Sequence, residues 1–587
     1  MRSKIRELIQ RAVAELQKGG ELPEFALPDF SVEVPENPAH GDYATNAALL
    51  SAKPAGKKPM EVARAIAAAL AKESRGAIAR AEAAAPGFIN VFLSVEWLAG
   101  QLSSFLETGG ETKGTAAWKG KKAMVEFTDP NPFKEFHIGH LYSNSVGEAV
   151  ARLFENAGAE VKRANYQGDV GLHVAKAVWG MQKKMAEEGI GLETLAKKNL
   201  EERVRFMGQA YSAGDRAFGA DDAARQEIAA LNQKIFALDP AVRELYLQGR
   251  GWSFEYFERI YRRLGTKFDF YYFERDAGEA GLKIVKENLT KGVFEESQGA
   301  IVFPGEKYGL HRRVFINSEG LPTYEAKELG LAPRKREDFP YDLSVIVTGN
   351  EIIDYFKVLL EALKRIYPDL AAKTIHLAHG MVRLRHGKMS SRSGEVVRAE
   401  DLLNEVKERV LGIMESAESK IRVAPEKREE TAEAVAVGAL KYSLLRIGLG
   451  SDITFDFEKS LSLEGDSGPY LQYTHARLKS ILRKYGGEIK KLEIEKLELD
   501  AVEHRLLVTM LRLPEAICDA LKDYAPSALA NYLYNLAKLA NEFYHSHPVI
   551  QEPDEAKRNL RIALVTGVAL TLSKGLNLLG IDAPEEM

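Results

Sequence analysis

Cysteine is nearly absent: of 587 residues only Cys518 is one. That excludes a disulfide framework and any thiolate zinc site with two or more cysteine ligands. It also agrees with a reducing compartment. Long apolar runs are missing too. The best stretch, residues 562–572, falls short of the roughly 20 residues needed to cross a bilayer, so no membrane partner is expected. The N-terminal segment has no continuous apolar region of the signal-peptide kind. There Ile5, Leu8, Ile9, Ala12, Val13 and Leu16 follow the three-four spacing of an amphipathic helix. Neither sign of charge dominates, with 80 Lys plus Arg against 84 Asp plus Glu. Indiscriminate coating of nucleic acid is therefore disfavoured, while a local basic surface stays open. With 45% apolar and 28% charged residues the chain is a folding one, and at about 150 residues per domain it holds about four structural units.

Residues 1–110 read as a small α/β unit. An amphipathic helix opens it, an Ala-rich helix spans Pro59–Glu73, and a strand over Phe88–Leu93, apolar on both faces, closes it. The Gly- and Thr-rich stretch 107–120 reads as a linker. A second unit covers 120–400. A strand at 123–127, a Pro-containing loop at 129–135, a helix from 137 to 156 and a strand at 161–165 form the local signature of a parallel, Rossmann-type sheet. Charged helical pattern over about 172–262 reads as an insertion. Strand signals return at 268–273, 299–303, 313–316, 343–347 and 374–377, and a basic, Ser-rich loop at 383–395 ends the unit. Residues 401–587 are expected to be all-helical, with no further strand.

Two segments carry chemistry. The first is Asn131-Pro132-Phe133-Lys134-Glu135-Phe136-His137-Ile138-Gly139-His140, between a strand and a helix start. Unpaired N–H groups and the helix dipole favour an anion there. His137 and His140 share a helical face, and Gly139 lets a flat ring approach the backbone. This suits the phosphates of a nucleotide. An ordinary helix that happens to carry two histidines shows the same pattern, and no third ligand is spaced for a metal. The second is Gly387-Lys388-Met389-Ser390-Ser391-Arg392-Ser393-Gly394-Glu395. A loop bearing Lys and Ser can follow a polyphosphate as its charge moves, and read alone it is equally a solvated loop.

Together the two segments resemble the HIGH and KMSKS signatures of class I aminoacyl-tRNA synthetases. The stretches EFTDPNPFKEFHIGH (126–140), NYQGDVG (165–171), LEGDSGPYLQYTHARLKSIL (463–482) and LGIDAPEEM (579–587) resemble the arginyl-tRNA synthetase family. GDYATNAALL (41–50) and GFINVFL (87–93) are similar to its N-terminal additional domain, so the resemblance covers essentially the whole chain. It implies an arginine–tRNA ligase that uses ATP with Mg²⁺, needs no zinc, acts on L-arginine and the tRNA for arginine, and is a cytoplasmic monomer. His137, Gly139, His140, Lys388, Met389 and Ser390 would bind ATP. Glu126 and Asn131 would face the amino-acid end of arginine, and Glu274, Tyr324 and Glu328 its guanidinium. A planar cation with five donors suits paired carboxylates, although Glu274 and Glu328 also read as ordinary surface carboxylates. Glu328 stands where many relatives carry Asp.

The KMSKS-like segment departs from its pattern, with Ser391 at the position of the second lysine. Lys134, three residues before the first histidine, is expected to supply the missing charge; it also reads as a solvated loop lysine. For tRNA, Tyr470, Tyr473 and Arg477 suit a stacked anticodon base flanked by phosphates, or the tyrosines are core. Tyr532, Tyr534 and Tyr544 are further candidates, and Asn90 and Phe92 are candidates for the outer corner of the tRNA. Lys335 and Arg336 read equally as a solvated helix end. The resemblance implies that tRNA binds before arginine is activated. The rival readings are a class I lysyl enzyme, a smaller adenylyltransferase with the same histidine loop, and a non-catalytic tRNA-binding paralogue.

Overall fold

The structure is a computed structural model. It describes residues 1–74, 76–111, 116–385, 397–416, 423–488, 492 and 497–587. Lys388, Met389 and Ser390 lie outside the described residues.

The first helix, Arg2–Lys18, buries Ile5, Leu8, Ile9, Ala12, Val13 and Leu16, the six positions whose spacing marks its apolar face. It packs with Ala47–Ala55 and Pro59–Glu73 on an antiparallel sheet ordered Val32–Glu33, Tyr43–Thr45, Phe88–Leu93, Ile78–Ala84. In Phe88–Leu93 the Ile89, Val91 and Leu93 side is fully buried, but Phe88 is 38% exposed. The strand is thus buried on one face and only partly on the other. This unit is fastened to the C-terminal helices. The Met1 amine lies 3.1 Å from Glu515, the Tyr43 hydroxyl donates to the same carboxylate at 2.9 Å, and His504 meets Asp42 at 2.8 Å.

The central sheet has five strands, all parallel, in the order Thr374–His379, Leu343–Gly349, Lys122–Glu126, Glu160–Gln167, Phe270–Phe273. From Lys122–Glu126 the next two strands of this sheet in sequence lie on one side, and the last two return on the other. Such a reversal leaves a crevice at the carboxyl ends of the strands, where ligands of open parallel sheets bind. The chain leaves Glu126 into that crevice and enters helix Ile138–Asn156. The insertion is helical throughout, as Leu172–Glu188, Leu192–Ala196, Leu200–Ala220, Asp222–Phe236 and Pro240–Arg263.

The C-terminal part is helical from Ala399–Glu415 to Glu555–Leu578 with one correction: Ile453–Phe455 is a strand, paired in parallel with Val382–Leu384. Three residues are too few to show a period of two, so the pattern left no signal. Lys441, fully buried, ties the units together. Its ammonium donates to the carbonyls of Leu264 at 2.5 Å and Gly580 at 2.7 Å, and burial lowers its pKa to about 8.

Candidate active site

The loop between Glu126 and the helix is held in an unusual backbone shape. Thr128, Asp129 and Phe133 have φ of 80°, 43° and 67°, a region that costs non-glycine residues energy and persists only where the surroundings over-determine it. Those surroundings are visible. The Thr128 N–H donates to Ser143 Oγ at 2.9 Å, and Asn144 donates to the Thr128 hydroxyl at 3.0 Å. The Phe133 N–H donates to Ser253 Oγ at 2.9 Å. The Phe133 ring presses on Gly249, where a β-carbon would lie 2.2 Å from the ring. Ser253 and Gly249 belong to Pro240–Arg263, so the helical insertion braces the strained loop from behind.

His137 is the N-cap of the helix rather than a residue on its face. Its Nδ1 accepts the N–H of Gly139 at 3.1 Å and of His140 at 3.4 Å, while its own N–H donates to His140 Nδ1 at 3.2 Å. The two rings stack with centroids 3.6 Å apart. Because both Nδ1 atoms accept, each neutral ring carries its proton on Nε2. Burial, then the Lys134 charge, lowers His137 to about 4; burial, then His137 and Lys134, lowers His140 well below the usual range. The pair is therefore neutral near pH 7 and offers two N–H donors at a helix N-terminus. That geometry suits phosphate oxygens.

Behind this loop several mainly acidic side chains gather, close enough to act on one another. Glu126 is 1% exposed and its Oε2 takes Lys335 Nζ at 2.6 Å. Glu274 is paired with Lys327 at 2.5 Å, both side chains 8% exposed. Asp129 accepts the Tyr166 N–H at 2.8 Å. Burial first, and then the Glu126 charge, pushes Asp129 and Glu328 well above the ordinary carboxyl range. Burial also raises Glu274, with Lys327 opposing. Tyr324 stands at the mouth, 57% exposed, and Tyr355 donates to its carbonyl at 3.1 Å. Glu274, 6% exposed, is thus no solvated surface carboxylate, Glu328 is half-buried, and Lys335 is a buried partner rather than a solvated helix end, at 2% exposure. Sequence reasoning missed Lys327, Lys335 and Asp129. The signal for Lys335 is the 4-3-4 spacing of Tyr324, Glu328, Leu331 and Lys335, which puts all four on one helical face.

Gly168 lets the pocket close. A β-carbon there would lie 2.3 Å from Asn131 Oδ1 and 3.4 Å from Glu274 Oε1. The atom in the way is the tip of a side chain that can turn, so Gly168→Ala is expected to fold normally. It should displace Asn131 and lower kcat/KM for the substrate that binds there about tenfold or more, as misplacing a positioning group does. Steady-state kinetics beside a melting curve checks this; unchanged kinetics would contradict it.

Among the described residues Asp500, Glu503 and His547 are close enough to hold a metal ion. Their partners account for the cluster, since Asp500 meets His547 at 2.6 Å and Glu503 meets Arg561 at 2.8 Å.

The residues foreseen for tRNA lie away from this crevice, on the helical domain and the N-terminal sheet. The Arg477 guanidinium lies over the Tyr473 ring at 4.7 Å and the Tyr544 ring at 5.1 Å, and donates to Asn541 at 3.0 Å. Asn541 in turn donates to the Tyr470 hydroxyl at 2.9 Å. Tyr544 is 40% exposed, while Tyr532 donates to the Thr509 and Met510 carbonyls. His475, on the same helix, is a core residue, 3% exposed and bonded to the Pro584 carbonyl. Asn90 is buried, and Phe92 is covered by Arg80 at 3.8 Å. Phe92 and Tyr470, chosen on separate grounds, line one cavity of about 960 Å³ between the N-terminal unit and the helices.

Comparison with known proteins agrees with this geometry. Residues 101–457 match the family described as tRNA synthetases class I (R), catalytic domain, 471–587 the DALR anticodon binding domain, and 3–93 the arginyl tRNA synthetase N terminal domain. The fold and crevice are those of a class I aminoacyl-tRNA synthetase. An arginine--tRNA ligase of Bdellovibrio bacteriovorus is 32% identical over 577 residues, covering 96% of each chain, and one of Treponema pallidum is 31% identical over 599 residues, covering 99% of each. The Thermus thermophilus arginyl-tRNA synthetase structure superposes with a TM-score of 0.80 at 27% identity over the full length of both chains. This chain belongs to the arginyl-tRNA synthetase family.

Proposed function

We propose that the protein joins L-arginine to the 3′-terminal adenosine of its cognate tRNA in two steps, with ATP and its bound Mg²⁺ as substrate. An oxygen of the arginine carboxylate attacks the α-phosphorus in line, the α–β anhydride bond breaks and pyrophosphate leaves. The terminal 2′-hydroxyl then attacks the adenylate carbonyl, AMP leaves and the hydroxyl proton passes to solvent. Little covalent work falls to the protein, so positioning and charge carry the rate. The His137 and His140 Nε2–H groups bond phosphate oxygens, Gly139 lies beneath the adenine side, and Lys134 lies near the α-phosphate. Lys388, Met389 and Ser390 are assigned to ATP binding, Lys388 and Ser390 stabilising the triphosphate during adenylate formation. Glu126 and Asn131 take the amino-acid end of arginine, and Glu274, Glu328 and Tyr324 its guanidinium.

The reading rests on one observation. The buried carboxylates of Glu126 and Glu274 and the half-buried ones of Asp129 and Glu328 gather around Lys335 and Lys327. Such a pocket has room for more positive charge. Arginine brings two cationic groups, and its planar fork pairs with carboxylates two bonds at a time.

Arginine-dependent ATP–pyrophosphate exchange, run with and without tRNA and with citrulline as the uncharged isostere, tests the proposal. Exchange is expected with arginine and tRNA together, and to be lost with citrulline or when tRNA is omitted. Full-speed exchange on citrulline would overturn the pocket assignment. Full-speed exchange without tRNA would overturn the requirement for bound tRNA.

The division of labour follows units at 1–110, 120–400 and 401–587. Tyr470, Tyr473 and Arg477 hold an anticodon base and Phe92, beside Asn90, meets the outer corner of the tRNA. Among the described residues no helix is long and apolar enough to cross a membrane. We assign the protein to the cytoplasm as a monomer.

A further inference from the structure

We infer that Lys335 is a positioning residue of the arginine pocket: it ties down one oxygen of Glu126 and so presents the other to the α-ammonium of arginine. The inference rests on the proposed reading of that pocket. Lys335 sits in the last turn of Tyr324–Asp338, on the face that also carries Tyr324 and Glu328. Its side chain reaches the end of strand Lys122–Glu126 and meets Glu126 Oε2 at 2.6 Å, with both side chains no more than 2% exposed. Among the described residues the other oxygen, Oε1, is buried and accepts no hydrogen bond. A buried acceptor without a donor costs free energy, and such an atom beside a ligand site is one kept for the ligand. Arginine can fill it with its ammonium.

Lys335 also balances charge. Glu126 faces it from the strand, Asp129 stands in the following loop, Glu328 lies on its own helix, and Tyr341 follows that helix. Lys327, the other lysine of the pocket, is already held by Glu274. Without Lys335, Glu126, Asp129 and Glu328 would repel one another in a water-poor space, and a carboxyl so placed holds its proton to higher pH. Glu126 would then lose its orientation, and Asp129 and Glu328 the cation that opposes their protonation. The role differs from direct contact with arginine, because it acts through the neighbouring carboxyls, Glu126 first among them.

The test compares Lys335→Met and Lys335→Arg in the full chain with tRNA, measuring aminoacylation from about pH 6 to about pH 9. Lys335→Met is expected to raise KM for arginine about tenfold or more and to leave KM for ATP within about twofold. It should also move the acid limb of kcat/KM for arginine up by on the order of one pH unit. Lys335→Arg keeps the charge, so its acid limb should stay in place while its KM for arginine lies between the other two. A merely structural lysine would alter the melting temperature without moving the acid limb or separating the two KM values. If Lys335→Met does not fold, the arginine variant decides alone, and an acid limb that shifts although the charge is kept overturns the inference. A folded Lys335→Met with wild-type KM and pH profile overturns it as well. Glu126→Gln separates the layers. If that change leaves KM for arginine untouched, the pocket assignment itself fails; if it impairs binding while Lys335→Met does not, only the role of Lys335 falls.

Discussion

Lys134→Ala is expected to slow arginine activation by on the order of 10²-fold, the scale of a lost charge in a phosphoryl-transfer transition state. Lys134 follows the strained Phe133 and precedes the histidine cap by three residues, so a rigid loop sets its place. Its ammonium lies 5.1 Å from the Tyr211 ring centroid. Burial, then the neighbouring Lys176, pulls its pKa below the ordinary lysine value, with Asp215 opposing. Its charge in turn depresses His137, His140 and His173, which places a positive field at the mouth of the phosphate cradle. Ser391 stands where a second loop lysine would otherwise supply such a field. Pyrophosphate exchange with saturating tRNA measures the effect, and the melting temperature should barely move because the side chain is only partly buried. A near-normal exchange rate would remove Lys134 from the mechanism.

Glu274→Gln should lower kcat/KM for arginine by on the order of 10²-fold, since breaking a desolvated charge pair in a binding site has that scale. Two effects point the same way. The guanidinium loses a counter-charge, and Lys327, 2.5 Å from Glu274, becomes an unpaired cation beside the arriving one. The sign with pH follows from the raised carboxyls. Asp129, Glu274 and Glu328 hold protons above the usual carboxyl range. As pH rises through their titration the pocket gains negative charge, so kcat/KM for arginine rises with pH and falls on acidification. The variant should lie below the wild type along that whole limb and discriminate less sharply between arginine and citrulline. An unchanged preference would show that Glu274 does not face the guanidinium.

How much of this was legible in the sequence depended on the reach of each signal. The amphipathic face of Arg2–Lys18 and the strand–loop–helix around His137 rest on local periodicity, and both stand in the structure. The stacked histidines did not follow from helical spacing alone, because His137 caps the helix instead of lying on it. Lys335 was misread because a charged residue near a helix end is usually solvated; its partner, Glu126, is 209 positions away. Partners that distant leave no trace in a window of a few turns. The strand Ile453–Phe455 failed for the opposite reason, being too short to show any period. The insertion read only as helical, yet Gly249 and Ser253 show that it supports the strained loop. That role needs a three-dimensional contact to be seen.

A phosphate cradle for ATP and an acidic site for arginine must work together in one reaction. Charging of bulk tRNA with each of the labelled amino acids in turn tests it most directly. The account predicts that arginine alone is attached, in an ATP-dependent reaction. Comparable charging with lysine or any other amino acid, or no charging at all by the folded protein, would contradict it.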